Sequence, residues 1–176
     1  VFPIGWSLLL APAAAMGLER WMNPLLVALL PIFGWLALRE RLTEREARWA
    51  AVALAVMPGI AVLAGSQMAH TSVFVALTGA LAVALRDRDG PLWRSLAGIA
   101  LGYVVLARPF DAALFAAPLA LVMVWCRPRM SWTLIPVLIA GVLVLVDNAF
   151  MTGDSLRFLS SDWLEQTRPG CNALGF

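Results

Sequence analysis

The sequence predicts an all-α protein, a polytopic membrane helical bundle of about six transmembrane helices with an interfacial helix at its N-terminal end. Three observations predict it. Of 176 residues, 61% are hydrophobic and 14% charged, against about 45–50% apolar and about 25% charged in water-soluble domains. The mean hydropathy is +0.83. The charges gather in short blocks that separate apolar runs, as loops separate spans. A net charge of +2 gives no ground for a nucleic-acid partner.

Val1 to Met16 is apolar but interrupted by Pro3 and Pro12, so residues 1–20 read as an interfacial outer segment. Asn23-Pro24 reads as a helix start, with Asn as N-cap and Pro at the first helical position. The first span follows near 21–38. Arg39 to Arg48 is a charged block in which Thr43 and Glu46 have capping-box spacing. A second span near 49–65 contains Pro58-Gly59, expected to kink it. Ser66 to Ser72 reads as a polar turn holding His70, before a third span near 73–85. Arg86 to Arg94 is a charged loop with Gly90-Pro91 as its turn signal.

Two apolar runs come next, 95–107 and 112–126, of thirteen and fifteen residues. At a 1.5 Å rise these cover only about 20–23 Å of a roughly 30 Å hydrocarbon core. Arg108-Pro109-Phe110-Asp111 joins them. A charged turn between short spans is tolerated at membrane depth only inside protein or against a wet cavity. The alternative is a tight hairpin whose Arg108 and Asp111 reach to the interface. The last span is near 132–146. Residues 1–148 thus form the transmembrane region, and 149–176 form an outer-face segment that reads as truncated. The chain starts without Met inside an apolar segment, so a piece of a longer protein is expected.

All thirteen basic residues are arginine. Nine (Arg39, Arg41, Arg45, Arg48, Arg86, Arg88, Arg94, Arg127 and Arg129) fall on one side of the six-span arrangement, and Arg20, Arg108, Arg157 and Arg168 on the other. The nine-arginine side is therefore expected to be cytoplasmic, with both termini outside. His70, Arg108, Asp111, Asp147, Asn148 and Asp154 then share the outer face. Cys126 and Cys171 fall on opposite sides, so no intrachain disulfide is expected, and no metal motif is present.

Each candidate site residue has two readings. Arg108 has the planar fork that grips a phosphate, or it is a turn residue in the headgroups. His70 holds an anion or hydroxyl, or shuttles a proton, or is a solvated loop histidine. Asp111 positions Arg108 or acts on substrate, or forms a local ion pair. Asp147 is an intramembrane acid or a helix-end residue. Asp154, in Thr152-Gly153-Asp154, is a turn residue. No catalytic residue is assigned, and soluble-enzyme motifs such as a Walker loop or nucleophile elbow are absent.

Taken in order, several short stretches resemble one family. They are Phe2-Pro3-Ile4-Gly5-Trp6, Asn23-Pro24-Leu25, Ser66 to Thr71 with its His, and Gly98-Ile99-Ala100-Leu101-Gly102 leading to Ala107-Arg108-Pro109. Asn148 with Thr152-Gly153-Asp154, and Cys171-Asn172-Ala173-Leu174-Gly175-Phe176, complete the set. The chain is similar to polytopic glycosyltransferases that use lipid-phosphate sugars, the class of protein O-mannosyltransferases and aminoarabinose transferases. That resemblance implies sugar transfer from a polyprenyl-phosphate donor to a lipid, glycan or protein acceptor at the outer face of the cell membrane. It implies phosphate contact by Arg108, with Asn148 also among the substrate-binding residues. A divalent metal serves some members. The family's catalytic acid precedes the Phe-Pro-x-Gly-Trp region, outside this chain. Two rivals are a transporter or permease subunit and a non-catalytic membrane assembly subunit; broken helices with charges at depth suit the first.

Overall fold

In the computed structural model, residues 4–65, 69–86, 90–153 and 155–156 are described, and every regular element among them is helical. The elements are α1 (Ile4–Ala15), a 3-10 turn (Glu19–Trp21), α2 (Met22–Leu38), α3 (Glu44–Ala55), α4 (Pro58–Gly65), α5 (His70–Leu85) and α6 (Pro91–Ala107). There follow α7 (Pro109–Asp111), a π-helical stretch (Ala112–Ala116), α8 (Ala117–Cys126), a 3-10 stretch (Pro128–Thr133) and α9 (Leu134–Thr152). Three helical stretches are long and apolar enough to cross a membrane: Glu19–Leu38, Pro109–Cys126 and Pro128–Met151. Ile4–Ala15, His70–Leu85 and Pro91–Ala107 are shorter apolar helices.

Several boundaries differ from the sequence expectation, each for a local reason. Asn23 is not an N-cap. The preceding 3-10 turn runs straight into α2, which places Asn23 inside the helix with its side chain buried. Pro58 breaks the 49–65 segment instead of kinking it. Proline cannot donate to a helix hydrogen bond, so α3 stops at Ala55 and Pro58 opens α4. The capping box stands as expected: Thr43 Oγ1 accepts from the Glu46 N–H, and the Thr43 N–H donates to Glu46 Oε2 at 2.9 Å.

The pair of helices around Arg108 is longer than its apolar runs. Gly90 is the N-cap of α6 and Pro91 its first residue, so the helix gains a turn before Ser95. Its 17 residues span about 26 Å. Pro109 likewise opens the next helix, and Pro109–Cys126 is an unbroken 18-residue stretch of about 27 Å. Both helices are thus longer than their apolar runs, Pro109–Cys126 being long enough to cross a membrane and α6 a shorter apolar helix. Arg108 alone, at φ −154 and ψ 88, is the whole connection.

Side-chain register gives the direction of each helix. Leu30 packs with Val75 and Phe33 with Gly79, so α2 and α5 run parallel. Tyr103 meets Ser72 and Trp93 meets Arg86, so α6 runs antiparallel to α5. On α6, Gly98 faces Thr133 and Gly102 faces Pro136 and Ala140, which makes α9 parallel to α6. These two glycines are needed for that approach. A Cβ on Gly98 would lie 2.8 Å from the Thr133 carbonyl oxygen, and one on Gly102 would lie 2.9 Å from that of Pro136. The Gly-x-x-x-Gly spacing is the small-residue seam by which membrane helices draw together. The main core follows: Leu101, Val104 and Ala107 of α6 are fully buried among Val73, Ala112, Ala116 and Met123.

Two ends of the bundle emerge. At one, Arg86 stacks over Trp93 at 4.8 Å, approaches Glu40 at 3.9 Å, and offers its carbonyl to Arg127. Arg39 lies over Trp35 at the same end. His70 and Arg108 occupy the other.

Candidate functional site

At the His70 end, three of the sequence-predicted residues come together. Arg108 follows the last residue of α6, and its main-chain N–H still donates to Val104 O at 2.8 Å. This anchors the backbone while the side chain swings out. The Arg108 Nε lies 2.9 Å from Asp111 Oδ2, one turn along in α7. The Arg108 Nη1 lies against the His70 ring, in contact with Nε2 and Nδ1. Among the described residues no partner takes Nη2. The Arg108 and Asp111 side chains keep 30% and 21% of their exposure. Pairs this open are worth only about 0–1 kcal/mol, so the geometry serves to aim the guanidinium more than to stabilise the fold.

His70 is the first residue of α5, not a turn residue, because the helix starts three residues before the apolar run at Val73. Its imidazole titrates below the ordinary histidine range. Loss of water on its protein side comes first, the Arg108 charge second, and Asp111 opposes both. The neutral ring is therefore favoured.

Beneath this trio lies a hydrogen-bonded brace. The Tyr103 hydroxyl donates to Ser72 Oγ at 2.7 Å, and Ser72 Oγ donates to Ala69 O at 2.8 Å. It ties the middle of α6 to the first turn of α5, two residues beyond His70. Tyr103→Phe is expected to destabilise the protein by about 1 kcal/mol, the net worth of one such bond. The check is the unfolding midpoint of the detergent-solubilised protein. Tyr103 carries no motif; its one signal is being the chain's single tyrosine, set in an apolar helix. Below the brace runs a cavity of about 310 Å³ between α1, α2, α5 and α6. Leu9, Leu26, Phe33, Ala76 and Ala100 are among its walls, and Ser72 and Tyr103 close its polar end.

Gly5 belongs to the same end. A Cβ there would sit 2.6 Å from the Ala107 nitrogen and 2.7 Å from the Leu106 carbonyl carbon. Only glycine lets α1 lie directly on the backbone that precedes Arg108. Residues 1–20 were expected as an interfacial segment; Ile4–Ala15 is helical and buries Trp6 and Ala13.

Asp147 and Asn148 share this end by the register of α9 on α6, but the contacts that join the trio do not include them. Asp147 is not a helix-end residue, since α9 continues to Thr152. Asn148 Nδ2 donates to Ser155 O at 3.0 Å, holding the chain just after its own helix. Gly153, at φ 78, ends α9 in the left-handed conformation. Asp154 and Cys171, most of the 149–176 segment, and Phe2-Pro3 lie outside the described residues, whereas Cys126 is an exposed free thiol. Among the described residues no group of three His, Cys, Asp or Glu side chains is placed to hold a metal ion. Compared with protein-family models, curated proteins and solved structures, the chain matches none.

Proposed function

We propose that the protein is a multi-pass membrane glycosyltransferase that takes its sugar from a polyprenyl-phosphate donor at the outer face of the cell membrane. The observation that carries this reading is the Arg108–His70–Asp111 cluster at one end of an apolar bundle, with a guanidinium nitrogen, Nη2, that no partner among the described residues engages. In this reading the six expected spans, near 21–38, 49–65, 73–85, 95–107, 112–126 and 132–146, each cross, the shorter ones making up length with their flanking residues. The arginine-rich Arg86 end faces the cytoplasm.

A polyprenyl phosphate keeps its tail in lipid and its charge at the boundary. A planar fork positioned there by Asp111 suits the phosphate. As the anomeric carbon is attacked, the bond to the phosphate oxygen breaks and charge grows on the leaving phosphate, where a preoriented cation lowers the barrier. The apolar lining of the cavity below the Ser72–Tyr103 brace is in keeping with a lipid-borne donor. The base that deprotonates the acceptor is not assigned to any residue of this chain.

The test is turnover by the purified full-length protein. With a labelled polyprenyl-phosphate sugar and a candidate lipid, glycan or protein acceptor, label is expected to leave the donor and appear on the acceptor. Solute flux across proteoliposomes without donor consumption would favour the transporter reading instead.

A further inference from the structure

We infer that occupation of the Arg108 site by a phosphodiester is coupled to uptake of a proton at His70. The inference rests on the reading of Arg108 as the phosphate-facing residue, and extends it to how that site is regulated. Its basis is donor–acceptor chemistry. A guanidinium has five N–H donors and no lone pair to offer. Arg108 Nη1 lies against the His70 ring, and it can donate there only to a nitrogen with a free lone pair, which the neutral imidazole has and the protonated one lacks. With no ligand anion present, the site holds the Arg108 cation, the Asp111 carboxylate paired with it, and a neutral ring against the remaining part of the fork. Protonating His70 removes that acceptor and sets two positive charges side by side. That arrangement is unfavourable when empty and favourable around a phosphate.

Among the described residues, the charges near His70 are few. Asp111 and Arg108 face it from the α6–α7 junction. The neighbouring α2 and α4 carry no ionisable residue, nor does α1. Glu19 and Arg20 lie on the 3-10 turn before α2, and Asp147 lies on α9, which packs on α6. In the free site the neutral ring is favoured, consistent with its titration below the ordinary histidine range. A bound phosphodiester lies against both groups and draws the His70 pKa upward. Linkage fixes the sign. Between the free and bound pKa values, binding takes up a proton, so affinity rises as pH falls. With one coupled proton the rise is at most about tenfold per pH unit, and affinity levels off outside that window.

A diester is the right probe because, unlike a monoester, it does not itself titrate near neutrality. Full-length protein is placed in phosphatidylcholine nanodiscs with or without phosphatidylglycerol. The His70 ring signal, assigned by its loss in His70→Gln, is followed by NMR across the acid range. Phosphatidylglycerol is expected to move the His70 titration to higher pH. Its binding is expected to strengthen severalfold per unit of acidification, and His70→Gln to flatten that dependence. A separate arm adds dimethyl phosphate in water. A shift with the lipid alone places the ligand in the leaflet, a shift with both opens the site to free diesters, and either sustains the coupling. Binding that leaves the His70 titration unmoved overturns the coupling while the phosphate role of Arg108 stands. No binding at any pH overturns both.

Discussion

Replacing Arg108 with alanine in the full-length protein is expected, on the proposed function, to lower sugar transfer by about a hundredfold or more, the usual cost of removing one donor aimed at developing charge. The fold survives the change. Arg108 is partly exposed, its ion pair with Asp111 is worth at most about 1 kcal/mol, and its backbone role needs only the Val104 hydrogen bond. Arg108→Lys is expected to fall between the two, since an ammonium keeps the charge but cannot reach Asp111 and a phosphate through one rigid plane. Rates of transfer with a labelled donor, measured beside thermal unfolding, check both claims. Unchanged transfer by the alanine variant would remove Arg108 from the phosphate and leave the cluster a structural clasp.

Valine at Gly98 or Gly102 is expected to destabilise the bundle by about 1–3 kcal/mol per site, the range for overpacked interiors. Leaving glycine gains at most about 1 kcal/mol of helix propensity, so the clash decides the sign. The obstacles are carbonyl oxygens of Thr133 and Pro136, which cannot rotate aside as a flexible side chain would. Gly59 and Gly141 offer a contrast, because a Cβ there meets nothing within 4 Å. Gly141→Val is the matched control, expected to leave the unfolding midpoint level or slightly raised. Equal loss at Gly98 and Gly141 would show that the α6–α9 seam is looser than its geometry indicates.

How much was legible in the sequence follows from the range of each interaction. Capping is local, and Thr43 with Glu46 announced α3 correctly. Apolar length is local too, and it located the apolar segments between the charged blocks, though not that Pro58 divides 49–65 between α3 and α4. Helix ends were harder. Apolar runs mark where lipid or core contact begins, whereas Gly90-Pro91 and Pro109 mark where the backbone turns helical, and these differ by several residues. In the site, Arg108 and Asp111 were visible as neighbours in sequence. Their meeting with His70, 38 residues away, depends on the antiparallel register of α5 and α6. That register is held by a tyrosine hydroxyl and a serine without any motif of their own. The Gly98–Gly102 spacing was on view, but its partner helix was not, since the carbonyls it accommodates come from residues more than thirty positions downstream.

The single-residue link between α6 and α7 has a mechanical consequence. A junction of one residue has no slack, and Pro109 locks the torsion on its far side. Any tilt of the 18-residue rod beyond it must be absorbed as rotation about the Arg108 backbone. The direction in which the guanidinium points is thereby tied to the angle between α6 and the helix that follows it.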